Sequence, residues 1–409
     1  MAINNSKLIK FLIPNIMGIL LVIFFTRISQ SEKNLNQVIK QEEVIIDSTA
    51  TIKIMKRYRE FVQNEIIEHG VVGAAYTIVD KDKVLCYDTW GVKEQGTVDS
   101  VNEHTVFRLA SVSKGFAGVL ACMLHRDSII DIEEPVMKFI PDFTLKDSAS
   151  TVQLTLKHTL NHTSGLVPHA FDNLVEANQN LAVIVKRLGE VNIAGKPGDI
   201  YGYQNVSFSL IDPVVRSITG EGYNFMLKKW ILKPLEMEDA STGVEIFKEK
   251  HANVAYPHRT IGMGKYRQLP PCETYYNVAP AAGVNASIDD MGKWLLALLG
   301  NYPNVLDSSV LEMISTPSIQ TPLRYSYYRH WKSEPEKYYS LGWRIFKYRG
   351  HDIIHHGGYI KGYRAEVAFC PEEKTGIAYL QNCDANVASK IVPTFFEYLF
   401  KETDAAANK

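Results

Sequence analysis

One short stretch constrains this chain more than any other. Residues 107–116 read FRLASVSKGF, which sets Ser111 and Lys114 three apart ahead of the small, apolar run Gly115–Met123. Such a run predicts a buried helix, and residues three apart on a helix share a face. A serine hydroxyl is a weak nucleophile at neutral pH. A buried lysine beside it can act as its base, because desolvation disfavours the ammonium form. A helix start adds free backbone N–H groups and a partial positive end, which suit a developing oxyanion. Ser-x-x-Lys alone recurs by chance in any long chain. Its weight comes from the company it keeps.

Composition bounds the rest. The chain has 409 residues, 46% apolar and 22% charged, with a net charge of -1. That is globular composition with room for a large core, and the absence of a basic block points away from nucleic acid and acidic lipid. Five cysteines (Cys86, Cys122, Cys272, Cys370, Cys383) are widely spaced and form no C-x-x-C. This argues against a zinc cluster or redox pair, and the odd count argues against a full disulfide framework. One bridge fits an exported chain. No metal or cofactor is expected.

Residues 11–25 (FLIPNIMGILLVIFF) follow Lys7 and Lys10. A basic start and a short apolar run fit a secretory signal better than a spanning helix, which needs about 20 residues. Ser29-Gln30-Ser31 offers a small-x-small cleavage site. The expectation is a signal peptide over 1–31, with an uncleaved anchor, and membrane association through residues 8–26, as its rival. A polar linker over 32–51 and one domain over 52–403 follow, exported to periplasm or medium.

Within that domain, residues 52–68 show helical spacing. Gly73 to Val92 reads as two strands around the turn Asp80-Lys81-Asp82-Lys83. From about 125 to 300 the pattern is helical with long loops, and Leu341 to Asn382 returns to short strands before an amphipathic helix over 388–401. That order predicts an α+β domain, an antiparallel sheet flanked by helices with an inserted all-α region.

Two further stretches carry chemistry. In PGDIYGYQN (197–205), Tyr203 and Asn205 alternate and face one side of an extended loop. A phenol near a lysine can exchange a proton with a serine, and an amide can orient the substrate or the lysine. Tyr201 is expected to pack. In His355-His356-Gly357-Gly358, at a strand end, glycines permit close backbone approach. Neighbours on a strand face opposite sides, so only one histidine meets the site, which also weakens a metal reading. His158 and His162, four apart, lack the glutamate of H-E-x-x-H and read as structural.

Ser111-Val112-Ser113-Lys114, Tyr203-Gln204-Asn205 and His356-Gly357-Gly358, in that order and spacing, resemble the serine β-lactamase and penicillin-binding-protein superfamily. The chain is most similar to the class C branch with its esterase and D-amino-acid peptidase relatives. Residues 154–166 resemble that branch's LLxHTSGL segment, 280–291 its PAGGLxSTxxDM and 340–343 its GLGW. The resemblance implies a β-lactamase/DD-peptidase-like fold and an acyl-enzyme hydrolase of an amide, lactam or ester in a small molecule or peptide. It implies Ser111 as nucleophile, Lys114 and Tyr203 as the base pair, and Asn205, His356 and Gly358 as substrate contacts. The oxyanion hole would be the backbone N–H groups of Ser111 and Tyr359. His356 stands where β-lactamases carry lysine, so its charge would exist only near or below about pH 6.5. Lys374-Thr375-Gly376 copies the lysine form of the motif but lies in a polar turn and is set aside. A catalytically silent binding member is the alternative of another class, disfavoured by the intact Ser111, Lys114 and Tyr203.

Overall fold

The computed structural model describes residues 53–249, 251–262, 264–322, 328–331 and 336–407. The expected leader or anchor and the linker lie outside these residues. No described helix is long and apolar enough to cross a membrane. The described residues group into two units, a helical one of 53–61 with 401–407 and a large one, Val62–Phe400. Everything below concerns the large unit.

Its strands are β1 (Gly73–Asp80), β2 (Lys83–Gly91), β3 (Phe107–Arg108), β4 (Ser241–Thr242), β5 (His258–Gly262), β6 (Lys265–Gln268), β7 (Val284–Ala286), β8 (Ile319–Gln320), β9 (Glu336–Tyr339), β10 (Arg344–Tyr348), β11 (His351–Ile360), β12 (Tyr363–Cys370) and β13 (Thr375–Gln381). Eight form one sheet in the order β2-β1-β13-β12-β11-β10-β9-β8, every adjacent pair antiparallel. The central strands are buried along almost their whole length. That explains why GAAYTIVD and TGIAYLQ are apolar nearly throughout rather than alternating: both faces are covered by helices. The architecture is the expected α+β, an antiparallel sheet flanked by helices.

The insert is not all-α. Within 125–300 the chain also makes β4, the β5–β6 hairpin and β7, and β7 joins β3 and β4 in a small sheet. These strands are two to five residues long, too short to impose a period of two on the sequence.

The buried helix Ser113–Arg126 runs through the centre of the unit. Its glycines show why. A Cβ on Gly115 would lie 2.5 Å from the Trp343 ring, and one on Gly118 would lie 2.0 Å from the Leu341 carbonyl oxygen. From the other side, Gly342 sits at φ +81°, and a Cβ there would lie 2.2 Å from the Lys114 carbonyl oxygen. Helix and loop therefore touch backbone to backbone, which only glycine allows. Phe116 stacks on Trp294 of the Ile288–Leu298 helix at 4.2 Å. Gly118→Ala should cost about 1–3 kcal/mol, the usual range for overpacking, and Gly342→Ala more, since it adds left-handed strain of about 1–2 kcal/mol. Exposed Gly262, whose nearest neighbour to an added Cβ is 3.9 Å away, is the control. Urea denaturation of the three variants checks the ranking.

Candidate active site

Ser111 lies just before the helix, in the 3-10 turn Ala110–Val112, and Lys114 is the helix's second residue. Ala110, next to the serine, holds φ at +47°, a conformation that costs a non-glycine residue about 1–3 kcal/mol and is often kept at functional sites. The kink turns Ser111 toward the lysine, with Nζ 3.5 Å from Oγ.

Lys114 is fully buried. Its Nζ donates to Asn205 Oδ1 at 2.7 Å and to the Ala281 carbonyl oxygen at 3.0 Å. Burial drives its pKa well below the ordinary lysine value. The Asp172 charge pulls it back and the Arg344 charge pushes it further down. A neutral amine has two N–H bonds and one lone pair. Both short contacts are to oxygens that only accept, so the N–H bonds are spent there and the lone pair is left for Ser111.

The segments around the lysine are tied together by backbone bonds. His169 N donates to the Tyr203 carbonyl at 2.8 Å, Gly202 N to the His162 carbonyl at 2.8 Å, and Gln204 N to His162 Nδ1 at 3.2 Å. The 162–170 loop thereby sets where Tyr203 and Asn205 stand. Lys114 Nζ lies 4.7 Å from the Tyr203 ring centroid. Burial raises the Tyr203 pKa, while the Arg344 charge and hydrogen bonding with Ser111 lower it. Tyr201 packs, as expected, against Tyr339 and His162.

β11 supplies the opposite wall. It does not end at His356 but runs to Ile360. β12 pairs with it to the end, whereas β10 pairs only as far as His355. One edge of 356–360 is thus open beside the serine. A Cβ on Gly358 would lie 2.2 Å from the Leu109 carbonyl oxygen and 3.1 Å from Ser111 N, so glycine is what lets the strand and the Ser111 turn meet. Tyr359 follows on the same open edge, its side chain 54% exposed.

Two of the expected substrate contacts are buried. Asn205 is only 6% exposed. Its Oδ1 is taken by Lys114 and its Nδ2 donates to Asp172 Oδ2 at 2.9 Å, so of the two expected roles the geometry displays the one that orients the lysine. His356 is fully buried. Its Nδ1 lies 2.9 Å from the Gly357 carbonyl oxygen, which fixes the proton there. Nε2 then accepts from Arg344 Nη1 at 3.0 Å, with the Tyr339 hydroxyl also 3.0 Å away. Burial, then Arg344, holds its pKa well below the ordinary value, so it offers a substrate no charge. His355 points away and bonds Glu366 at 2.8 Å. Lys374 sits exposed in the β12–β13 turn.

Sequence reasoning missed four residues: Asp172, His162 as a wall of the site, Tyr339 and Arg344. His162 contacts the Tyr203, Phe208 and Tyr339 rings at 4.3 to 5.3 Å between centroids. Only Arg344 left a signal, a charged residue opening the strand RIFKY directly after Leu341-Gly342-Trp343. All five cysteines are free thiols, so the expected room for one bridge is not used.

A serine beside a buried lysine at the start of a helix, next to an antiparallel sheet edge, is the arrangement that the comparisons with known proteins bear on. The model of the Beta-lactamase family matches residues 53–394, and the chain belongs to that family, within the serine β-lactamase and penicillin-binding-protein superfamily. It is 23% identical to Protein flp of Staphylococcus aureus (strain COL) over 345 residues, 82% of this chain and 64% of that protein. It is 26% identical to Unguisins hydrolase ungD of Aspergillus violaceofuscus (strain CBS 115571) over 343 residues, 76% of this chain and 58% of that protein. It thus spans less than two thirds of these curated relatives. Its fold is like that of the octameric penicillin-binding protein homologue from Pyrococcus abyssi, with a TM-score of 0.75 and 20% identity over 85% of this chain and 77% of that one.

Two predictions follow from this geometry. Gly358→Ala should lower the acylation rate by at least about 10²-fold, the cost of misplacing an oxyanion donor, with circular dichroism unchanged; stopped-flow with an aryl ester measures it. The second concerns stability. The Lys114 pKa is depressed on folding, so between that low value and about 10.4 the unfolded chain holds a proton that the native chain does not. Stability then rises with pH across that window. Relative to Lys114→Met, the wild type should gain up to about 1.4 kcal/mol per pH unit between pH 7 and 9, read from urea midpoints.

Proposed function

We propose that this chain is an exported serine hydrolase of the class C-like branch, acting on an amide, lactam or ester through an acyl-enzyme at Ser111. The observation that carries this reading is the state of Lys114: buried, with both N–H bonds directed at Asn205 Oδ1 and Ala281 O, and its remaining position toward Ser111 Oγ. In acylation Oγ attacks the carbonyl carbon and Lys114 Nζ takes the hydroxyl proton. The new oxyanion lies at the start of the helix and the edge of β11, where the backbone N–H groups of Ser111 and Tyr359 receive it. Tyr203, within reach of Lys114 and Ser111, passes the proton to the leaving group. Water then repeats the sequence on the acyl-enzyme.

The open edge of β11 favours an extended acyl chain laid alongside it as an added strand. A peptide-like substrate fits that edge, and the name of the Aspergillus relative, a hydrolase of unguisins, agrees with hydrolysis as the reaction. Intact mass after treatment with a fluorophosphonate should show one adduct, absent in Ser111→Ala. An adduct that persists in the variant overturns the assignment. Turnover of a chromogenic β-lactam, a short-chain aryl ester and a D-Ala-D-Ala peptide then ranks the substrate classes, and failure on all three, with no adduct, supports the silent binding member instead.

A further inference from the structure

The site holds a second buried cation that the reaction as described does not use. Arg344 is 9% exposed. Its Cζ lies 5.3 Å from the Tyr203 ring centroid and 5.4 Å from that of Tyr339. Its Nη1 donates to His356 Nε2, a neutral acceptor, at 3.0 Å, and it also hydrogen-bonds the Tyr203 side chain. Among the described residues no carboxylate stands within ion-pair distance of it. A guanidinium does not give up its proton in proteins, and burying an unpaired charge is expensive. Such an arrangement is kept where the charge does something.

Its neighbours show what. Arg344 is the first residue of β10, directly opposite His355. There β10 ends and β11 runs on, and the guanidinium reaches past the strand end to His356. It faces Tyr201, Tyr203, Tyr328 and Tyr339, all ordinarily neutral. His356 and His162 also lie close, both held neutral by burial. Lys114 is approached by Ser111 from its own segment, Tyr203 and Asn205 from the 197–205 loop, Ala281 from its turn, and Asp172 from the helix Asp172–Glu176. Asp172 is the one anion in this group, and it is shared with His169, whose Nδ1 lies 2.8 Å away. A pocket with one carboxylate cannot hold two ammonium-type charges cheaply. The group that cannot deprotonate keeps its proton, and the one that can gives it up.

We propose that Arg344, seated on His356 and sharing the Tyr203 ring with Lys114, is a positioning residue whose charge adds to burial in disfavouring a second charge on Lys114 and steadies the Tyr203 phenol as it passes a proton. The inference rests on the reading that Ser111 is the nucleophile. It moves the fixed charge that β-lactamases carry on the third-motif lysine to the neighbouring strand, and it gives neutral His356 a task, to hold the guanidinium by accepting from it.

The test is the pH dependence of kcat/KM for an aryl ester. Activity requires Lys114 unprotonated, so the acid limb reports its protonation. Arg344→Met should move that limb to higher pH by about one unit, a tenfold loss on the limb that is recovered in alkali. Arg344→Lys, which keeps a charge, should leave the limb in place even if kcat falls. Asp172→Asn removes the opposing charge and should move the limb to lower pH. An equal loss for Arg344→Met at every pH, or no loss, overturns the proposal. Should Arg344→Met fail to fold, the other two variants decide: a raised limb in Arg344→Lys, or an unmoved or raised one in Asp172→Asn, overturns it. The fluorophosphonate adduct on Ser111→Ala separates the two readings. If that variant is still labelled, the nucleophile is wrong; if labelling is lost and the limb does not follow Arg344, only this inference fails.

Discussion

The rest of the structure answers to one requirement, that the amine of Lys114 stay dry. An ammonium in water would hold its proton at neutral pH and leave Ser111 inert. Excluding water takes several walls, and each comes from a different part of the chain. The 162–170 loop brings His162 and fixes Tyr203 and Asn205 by backbone bonds. The 279–285 segment supplies the Ala281 carbonyl and donates Val284 N to Ser113 Oγ at 2.9 Å. The 341–344 segment closes the remaining side. A helix-rich insert between the second strand and the last six of the sheet is therefore no ornament on it. It is the source of two of these three walls.

Glycine is the second constraint, because it sets how close those walls come. Gly115 and Gly118 on the helix meet Leu341, Gly342 and Trp343, and Gly358 meets the nucleophile turn. Gly118, Gly342 and Gly358 meet main chain and Gly115 meets the Trp343 ring, each with no room for a methyl group. Side-chain packing alone leaves elements 8–10 Å apart. At that separation the β11 edge would stand too far from Ser111 for its N–H groups to share an oxyanion. The cost is conformational, since glycine is a poor helix former by about 1 kcal/mol. A fully buried helix offsets it through its apolar neighbours.

The sequence made some of this legible and hid the rest for physical reasons. The apolar run after Lys114 was readable because a buried helix needs it, and the long strands because a sheet covered on both faces needs continuous apolar runs. Tyr203 and Asn205 were readable as a pair but not in their partition: Asn205 turns inward to Lys114 because Asp172 takes its amide nitrogen, and a carboxylate 33 residues away leaves no local mark. The two-to-five-residue strands of the insert are too short to show a period. The pattern of residues 352–356 ends a strand at His356, yet pairing with β12 carries it four residues further.

Arg344 shows where reasoning from alternation stops. In register it stands opposite His355, and directly opposed residues in an antiparallel pair share a face, which assigns it to the side away from the serine. It reaches the site because β10 ends there. A side chain at the end of a strand has no neighbour beyond it to hold it to one face, and a guanidinium on a flexible stem can pass around the end to the far side. Charge placement in a sheet is thus set by where strands stop as well as by their register. A motif's charge can then leave the residue that names the motif and reappear on the next strand. His356 can lose the cation without the site losing it, because the hydrogen bond from Arg344 Nη1 to His356 Nε2 needs a neutral imidazole. The two residues form one unit in which the histidine is uncharged so that the arginine can be held.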